Sequence, residues 1–383
     1  MKSRRAVWLR RILKALVVLV LVLGAAVLGV ERTSPFGGRA DGERLARIEA
    51  SALFTDGKAQ NLVETRLGVS GAYFGVMKRY MRGGQEPQVD LPLMQPRYAE
   101  AEDGPRVTWL GHSAVVVELD GSRVLLDPVL SERASPFQWS GPKRFHPAPQ
   151  TIDELPDIDA VIISHDHYDH LDMHSIVGLS ARGVRFVVPL GVGAHLQAWG
   201  VPPSQIEELE WWQETKVGSV RVVCTPARHF SGRGVTDRNR TLWASWAILG
   251  AEERIWFSGD TGAFEQAAEI GRRLGPFDLA MIEIGAFDRA WEPVHLGPDG
   301  AVKMLGQVQG QVLFPIHWGT FSLAAHRWDQ PIVRVLDLAR QQGLSVMVPA
   351  AGQTQAVATP EIHPFWLQRA QLWRDRGMAS TDD

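Results

Sequence analysis

Ala160-Val161-Ile162-Ile163-Ser164-His165-Asp166-His167-Tyr168-Asp169-His170 is the stretch on which the reading of this chain turns. Its first four residues form a short continuous apolar run, the pattern of a strand buried on both faces. Three of the chain's 12 histidines then fall within six residues. Neutral imidazole and carboxylate are preferred ligands of zinc and similar borderline ions. His165 and His167, two apart on an extended loop, can converge on one cation, and Asp169 and His170 can address a second beside it. The competing reading is a surface loop that happens to be histidine-rich. A position between an apolar strand and a helical pattern at His174–Ala181 favours a metal or catalytic site.

Outward from this segment the same arrangement recurs. Asp260 follows Ile255-Trp256-Phe257-Ser258, His317 follows Leu313-Phe314-Pro315-Ile316, and His229 lies shortly beyond Val222-Val223-Cys224. Separate strands therefore deliver polar residues at their ends, where a buried unpaired group would be costly. His229 taken alone fits a ligand and an ordinary loop residue equally well. Strands are expected at Val107–Leu110, Ala114–Leu119, Arg123–Leu126, Ala160–Ile163, Arg185–Val188, Val220–Thr225, Leu242–Leu249, Arg254–Ser258, Leu279–Ile284 and Val312–Ile316. Helices are expected at His174–Ala181, Ala263–Leu274, Pro298–Val308 and Gln330–Gln341. Two packed β-sheets with helices on the outer faces, an α/β fold of αββα type, satisfy this order.

Composition limits the chemistry. With 45% apolar and 22% charged residues among 383, the chain is a folded globular protein. A net charge of −3 argues against nucleic acid as a partner. The single cysteine, Cys224, excludes an internal disulfide and a cysteine-rich metal site, so any metal must be held by histidine and carboxylate. Lys2, Arg4, Arg5, Arg10, Arg11 and Lys14 precede an apolar stretch from Ala15 to Val30. This reads as an uncleaved signal anchor, with a cleaved signal peptide as the alternative. The basic flank then stays cytoplasmic and the body lies on the far, periplasmic side; secretion after cleavage or a cytoplasmic face are the alternatives.

Beyond these features the chain resembles a known family. His165-x-His167-x-Asp169-His170 is similar to the signature of the metallo-β-lactamase superfamily. Thr108-Trp109-Leu110-Gly111-His112, Asp127-Pro128, Arg133-Ala134-Ser135-Pro136, Gly141-Pro142-Lys143-Arg144-Phe145, Gly259-Asp260-Thr261-Gly262, Gly275-Pro276-Phe277-Asp278-Leu279 and Ile316-His317-Trp318-Gly319-Thr320-Phe321 resemble the N-acylphosphatidylethanolamine-hydrolysing phospholipase D family. The resemblance runs from about Arg106 to Thr354 and implies the metallo-β-lactamase fold. It implies that His165, His167 and His229 hold a first zinc, that Asp169, His170 and His317 hold a second, and that Asp260 bridges the two Zn2+ ions. Asp166 stands where the phospholipases resemble Asn, with its carboxylate expected to point away from the metals. Asp169 is expected to orient the nucleophile and His295, in Val294-His295-Leu296, to act as general acid, against a rival reading in which it only hydrogen-bonds a carbonyl. His112 fits no ligand position and reads as a hydrogen-bonded supporting residue. His146, His174, His195, His326 and His363 read as ordinary structural histidines.

The expected function is a zinc-dependent phosphodiesterase of phospholipase D type acting on glycerophospholipids through a metal-bridging hydroxide. A lactonase or other carbonyl hydrolase and a non-enzymatic, metal-loaded envelope protein are the alternatives, and iron or manganese suits the same ligands. Phospholipid and membrane are the expected partners; nothing in the sequence indicates the oligomeric state. The organisation expected is an anchor over 1–30, a linker and wrapping segment over 31–103, a hydrolase domain over 104–360 and a C-terminal tail over 361–383.

Overall fold

Alternation of side chains sets the architecture. In the strand Ala160–Ile162, Ala160 and Ile162 face one apolar cluster while Val161 faces another, and all three are fully buried. Neighbouring strands repeat this alternation, so one sheet separates two cores. A computed structural model describes residues 2–66, 72–98 and 104–378. Within them lie two seven-stranded sheets. The first runs, in spatial order, Thr354–Ala356, Arg106–Gly111, Ala114–Leu119, Ser122–Leu126, Ala160–Ile162, Arg185–Pro189 and Ile206–Leu209. The second runs Ser345–Val346, Gly310–Ile316, Phe277–Glu283, Arg254–Phe257, Ser245–Leu249, Val220–Thr225 and Glu214–Val217.

Each sheet is half parallel and half antiparallel. Ser122–Leu126, Ala160–Ile162, Arg185–Pro189 and Ile206–Leu209 are parallel to one another, as are Arg254–Phe257, Phe277–Glu283, Gly310–Ile316 and Ser345–Val346. Val220–Thr225 pairs antiparallel with Ser245–Leu249, which pairs antiparallel with Arg254–Phe257, so Val220–Thr225 points the same way as the parallel set. By the same count Arg106–Gly111 points with Ser122–Leu126. Residues just beyond the carboxyl ends of these strands therefore collect at one edge of each sheet, where open α/β sheets place their ligands.

Between the sheets, Val107, Trp109, Val117, Leu126 and Ile162 meet Val222, Trp246, Ile248 and Phe257 in one cluster. The outer face of the first sheet packs Val116, Leu125, Val161 and Val188 against Ile176 and Leu179 of the helix Met173–Ala181 and Leu196 of the helix Gly193–Ala198. The helices Ala267–Leu274, Gly297–Gln307 and Gln330–Gln342 contribute Ile270, Met304, Ile332 and Val333 to the cluster around the second sheet. This is the αββα arrangement expected from the element order.

Two differences from the sequence reading have physical causes. The strand expected from Leu242 begins only at Ser245, because the Leu242 and Ala244 N–H groups donate to Leu190 O and Ser164 O, just beyond two strands of the first sheet, and tie the two sheets together. The segment expected as a tail carries a helix, Pro364–Asp375, whose Trp366, Ala370 and Trp373 are buried in the main cluster. Within the segment before the hydrolase body, Ile48 and Ala59 enter that same cluster. At the amino end a helix spans Lys2–Val30, and its stretch Arg11–Val30 has a mean hydropathy of 2.7, long and apolar enough to cross a membrane.

Candidate metal centre

Asp127, the residue after Ser122–Leu126, anchors the histidine-rich loop. Its carboxylate accepts from Ser164 N at 2.7 Å, from Ser164 Oγ at 2.6 Å and from His170 Nδ1 at 2.7 Å. With its hydroxyl proton given to Asp127, Ser164 Oγ accepts from His165 Nδ1 at 2.9 Å. Ser164 can sit this deep because Gly259 lies against it: a Cβ there would stand 2.6 Å from Ser164 Cβ, and Gly259 has φ +54°. The loop ends where Asp172 caps the helix Met173–Ala181, accepting from His174 N and Ser175 N.

With the far nitrogens so occupied, the remaining ring nitrogens converge. His165 Nε2 lies 2.8 Å from His167 Nδ1, and His229 Nε2 lies 3.3 Å from the same atom. His229 is oriented by its Nδ1 donating to Val294 O at 3.0 Å. Asp260 Oδ2 is 3.9 Å from His165 Nε2 and 3.8 Å from His229 Nε2. A second group gathers around Asp169 Oδ2, with His317 Nε2 at 3.1 Å, His112 Nε2 at 3.2 Å and His170 Nε2 at 3.5 Å. Asp260 reaches this group too, at 3.2 Å to His170 Nε2 and 3.1 Å to His317 Nε2. One buried carboxylate thus lies between two clusters of ring nitrogens. All seven candidate ligands inferred from sequence, His165, His167, Asp169, His170, His229, Asp260 and His317, come together, and each cluster has its donor atoms within 4.8 Å of one another.

This donor set fits cations. Asp127, Asp169 and Asp260 take histidines, a serine hydroxyl and one backbone N–H group as partners. His170 Nε2 and Asp260 Oδ1 face each other 3.2 Å apart, both buried and neither hydrogen-bonded, a pair that a shared cation would satisfy. Burial, reinforced by neighbouring imidazoles, holds His165 and His229 well below the ordinary histidine range, in the neutral form that binds metal. Burial also opposes charge on His170 and His317. There Asp260 and Asp169 outweigh it, with Asp127 adding to the effect on His170; His170 is pushed well up and His317 up to about 10. Backbone strain concentrates at the same place, with φ of 54° at His112, 37° at Asp127 and 63° at His317.

His317, ordinarily 6.5, has its raised value near 10, so it steadies the cation-free fold fully below 6.5 and loses that contribution as pH rises through 10. Between those values a cation taken up through its nitrogen displaces a proton, and affinity climbs with pH. Titration calorimetry of the metal-stripped protein at pH 7.5 should show an apparent enthalpy that varies with the ionisation heat of the buffer. A buffer-independent enthalpy would contradict this.

The family follows from these features. Residues 122–318 match the family model described as beta-lactamase superfamily domain. The chain belongs to the metallo-β-lactamase superfamily. As a member of that superfamily it is a metal-dependent hydrolase with His/Asp clusters able to bind metal ions. It is similar to an uncharacterized protein of Mycobacterium tuberculosis, 47% identical over 286 residues, covering 73% of this chain and 77% of that protein. It is also similar to N-acyl-phosphatidylethanolamine-hydrolyzing phospholipase D 1 of Caenorhabditis elegans, 37% identical over 235 residues, covering 58% of this chain and 66% of that one. Among solved structures, a metallo hydrolase from Ignicoccus hospitalis superposes with a TM-score of 0.51 at 21% identity, covering 66% of this chain and 97% of that one; this likeness concerns the fold.

Other residues of this superfamily member take places that sequence reasoning left open or missed. Asp166 turns its carboxylate to His195 Nε2 at 3.2 Å, Thr241 Oγ1 at 2.8 Å and Gly232 N at 2.7 Å. His195, read as an ordinary structural residue, therefore supports the loop, and its Nδ1 accepts from Gly38 N at 3.1 Å. Arg233 donates to Asp166 O and Leu171 O within the loop and to Pro35 O of the segment that follows the amino-terminal helix. His326 stacks on Phe287 at 4.6 Å, and burial pushes it down to about 4. His295 donates from Nδ1 to Glu283 Oε2 at 2.9 Å, and its ring centroid stands 5.2 Å from His229 and 5.3 Å from His317. Glu283 was not singled out from sequence; as the last residue of an apolar strand it gives no local signal.

Proposed function

We propose that the protein is a phosphodiesterase of phospholipase D type, acting on glycerophospholipids such as N-acylated phosphatidylethanolamines with two Zn2+ ions at the paired clusters. The observation that carries this reading is the single carboxylate of Asp260 within reach of ring nitrogens from both clusters. The similarity to the nematode N-acyl-phosphatidylethanolamine-hydrolyzing phospholipase D supports the substrate class. In this reading His165, His167 and His229 hold one ion, Asp169, His170 and His317 the other, and Asp260 both. The ions supply an activated water and charge stabilisation at the phosphoryl oxygens.

The chain's own residues do the rest. Asp127 and Ser164 keep His165 and His170 in the tautomers that turn Nε2 inward. Asp169 orients the attacking water, and His295 donates a proton to the departing alcohol oxygen. The apolar helix ending at Val30 anchors the chain, with the catalytic body outside the cytoplasm. The segment from Pro35 to Gly38, bonded to Arg233 and His195, keeps the site close to the bilayer surface. Trp139, 79% exposed and stacked on Phe137, is available to the lipid interface.

Incubating the full-length protein with N-acylated phosphatidylethanolamine, with phosphatidylcholine and with a lactone in mixed micelles tests this directly. Release of the phosphomonoester lipid and the free alcohol from at least one phospholipid is expected. Lactone opening without diester cleavage would replace the reading with a carbonyl hydrolase.

A further inference from the structure

Glu283 is a fully buried carboxylate at the end of the strand Phe277–Glu283. Burying a carboxylate is costly unless every lone pair finds a donor. Its Oε1 accepts from Thr261 N at 3.1 Å and from Leu296 N at 3.0 Å, and its Oε2 accepts from His295 Nδ1 at 2.9 Å. Both oxygens are thus committed to N–H donors. Two of those donors adjoin the reaction centre in sequence: Thr261 follows Asp260, and Leu296 follows His295.

The segment carrying His295 is clamped from other sides as well. Val294 O accepts from His229 Nδ1 at 3.0 Å. Pro293 O lies so close to Gly262 that a Cβ there would meet it at 1.8 Å, which only glycine permits. The ring of His295 is thereby fixed between His229 of one cluster and His317 of the other. A carboxylate only accepts hydrogen bonds, so Nδ1 carries a proton toward Glu283 and Nε2 is the nitrogen left for substrate.

We propose that Glu283 is the positioning residue for His295, fixing its tautomer and ring plane and steadying its positive charge so that Nε2 delivers a proton to the leaving oxygen. The inference rests on the phosphodiesterase reading above and assigns the proton donor its support. In the step, a water oxygen bonds to phosphorus and the bond from phosphorus to the headgroup alcohol oxygen breaks. The electron pair of that bond goes to the alcohol oxygen, which takes the proton from His295 Nε2. A phosphomonoester and an alcohol leave, and the proton shed by the attacking water returns through solvent to His295. The chemistry is that of a buried carboxylate behind an imidazole, here facing a leaving group instead of a nucleophile.

The test compares wild type, Glu283→Gln, His295→Ala and the double variant, each as full-length protein. Two substrate types are used: a phospholipid diester that expels an alkoxide and a p-nitrophenyl phosphodiester whose leaving group needs little protonation. Metal content and the low-field proton NMR spectrum are recorded for each. In wild type, a low-field resonance from the carboxylate-bound Nδ1 proton is expected, absent in His295→Ala and moved upfield in Glu283→Gln. Glu283→Gln should retain the wild-type metal content. Its kcat should fall about 10- to 100-fold on the alkoxide diester, at least about tenfold more than on the p-nitrophenyl diester. The double variant should be no slower than His295→Ala alone.

Equal losses on both substrates, additive losses in the double variant, or a reduced metal content in Glu283→Gln would overturn the proposal. So would a wild-type spectrum without the His295 resonance, a readout that stands even if the glutamine variant does not fold. A wild type that cleaves neither diester would overturn the phosphodiesterase reading instead, and the resonance would still decide whether Glu283 orients the ring.

Discussion

An Asp260→Ala variant is expected to lose metal from both clusters at once and to turn over at least about 10³-fold more slowly, a loss of about 4 kcal/mol of transition-state stabilisation. Asp260 is 3% exposed and lies within 3.9 Å of His165, His170, His229 and His317. No other carboxylate touches both groups of nitrogens among the described residues. Without it, no carboxylate is shared between the two clusters: Asp169 still faces His170 and His317, but two dications side by side lose the one anion that screens them from each other. Asp260→Asn tests charge separately from shape, since the amide fills the same space with one neutral oxygen. Metal analysis of the purified variants alongside kcat checks the expectation. Retention of one full equivalent of metal with near-normal turnover would show that the clusters are independent.

The second large effect is on stability. Trp246 is fully buried between the sheets, on a strand that pairs with Val220–Thr225 on one side and Arg254–Phe257 on the other. Its indole N–H donates to Ile163 O at 3.0 Å, the carbonyl just ahead of Ser164 and His165. Trp246→Ala removes the ring, leaves a cavity between the sheets and strands that carbonyl. Such truncations cost about 3–5 kcal/mol, and an unsatisfied buried acceptor adds about 1–3 kcal/mol. Urea unfolding should show a midpoint lowered accordingly, with metal affinity weakened as well because the strand leading to His165 loses its brace. A variant within about 1 kcal/mol of wild type would mean that the core repacks around the gap.

What sequence alone could and could not supply divides along the range of the interactions. Strands with a clean apolar pattern, such as Ala114–Leu119 and Val220–Thr225, were legible to the residue. Ile206-Glu207-Glu208-Leu209 was not, because two glutamates interrupt the pattern on the outermost strand of its sheet; Glu208 is there to bind Arg44 and the Gly191 and Gly193 N–H groups. The strands Ser345–Val346 and Thr354–Ala356 are too short to show a period. The helix Pro364–Asp375 carried a usable signal, a histidine cap before proline with Trp366, Ala370 and Trp373 spaced along one face.

At the site, residues that announce themselves by type and clustering are the ones the fold brings together, whereas their supports gave no signal in the sequence. Asp127 stands 37 residues from Ser164 and 43 from His170, and Glu283 stands 12 from His295. An isolated acidic residue at a strand end looks like any surface carboxylate until the fold shows that it is buried. His195 was legible only as an ordinary structural histidine, since its partners Asp166 and Gly38 lie far away along the chain.

The central claim is that the two clusters form one metal-dependent hydrolytic site. The most direct measurement is the metal content of the full-length protein in detergent, with phosphodiester hydrolysis followed before chelation, after chelation and after zinc is restored. The account predicts about two metal ions per chain, activity lost on chelation and regained with zinc. Protein that holds no metal, or that cleaves the diester equally well after its metal is stripped, would contradict it.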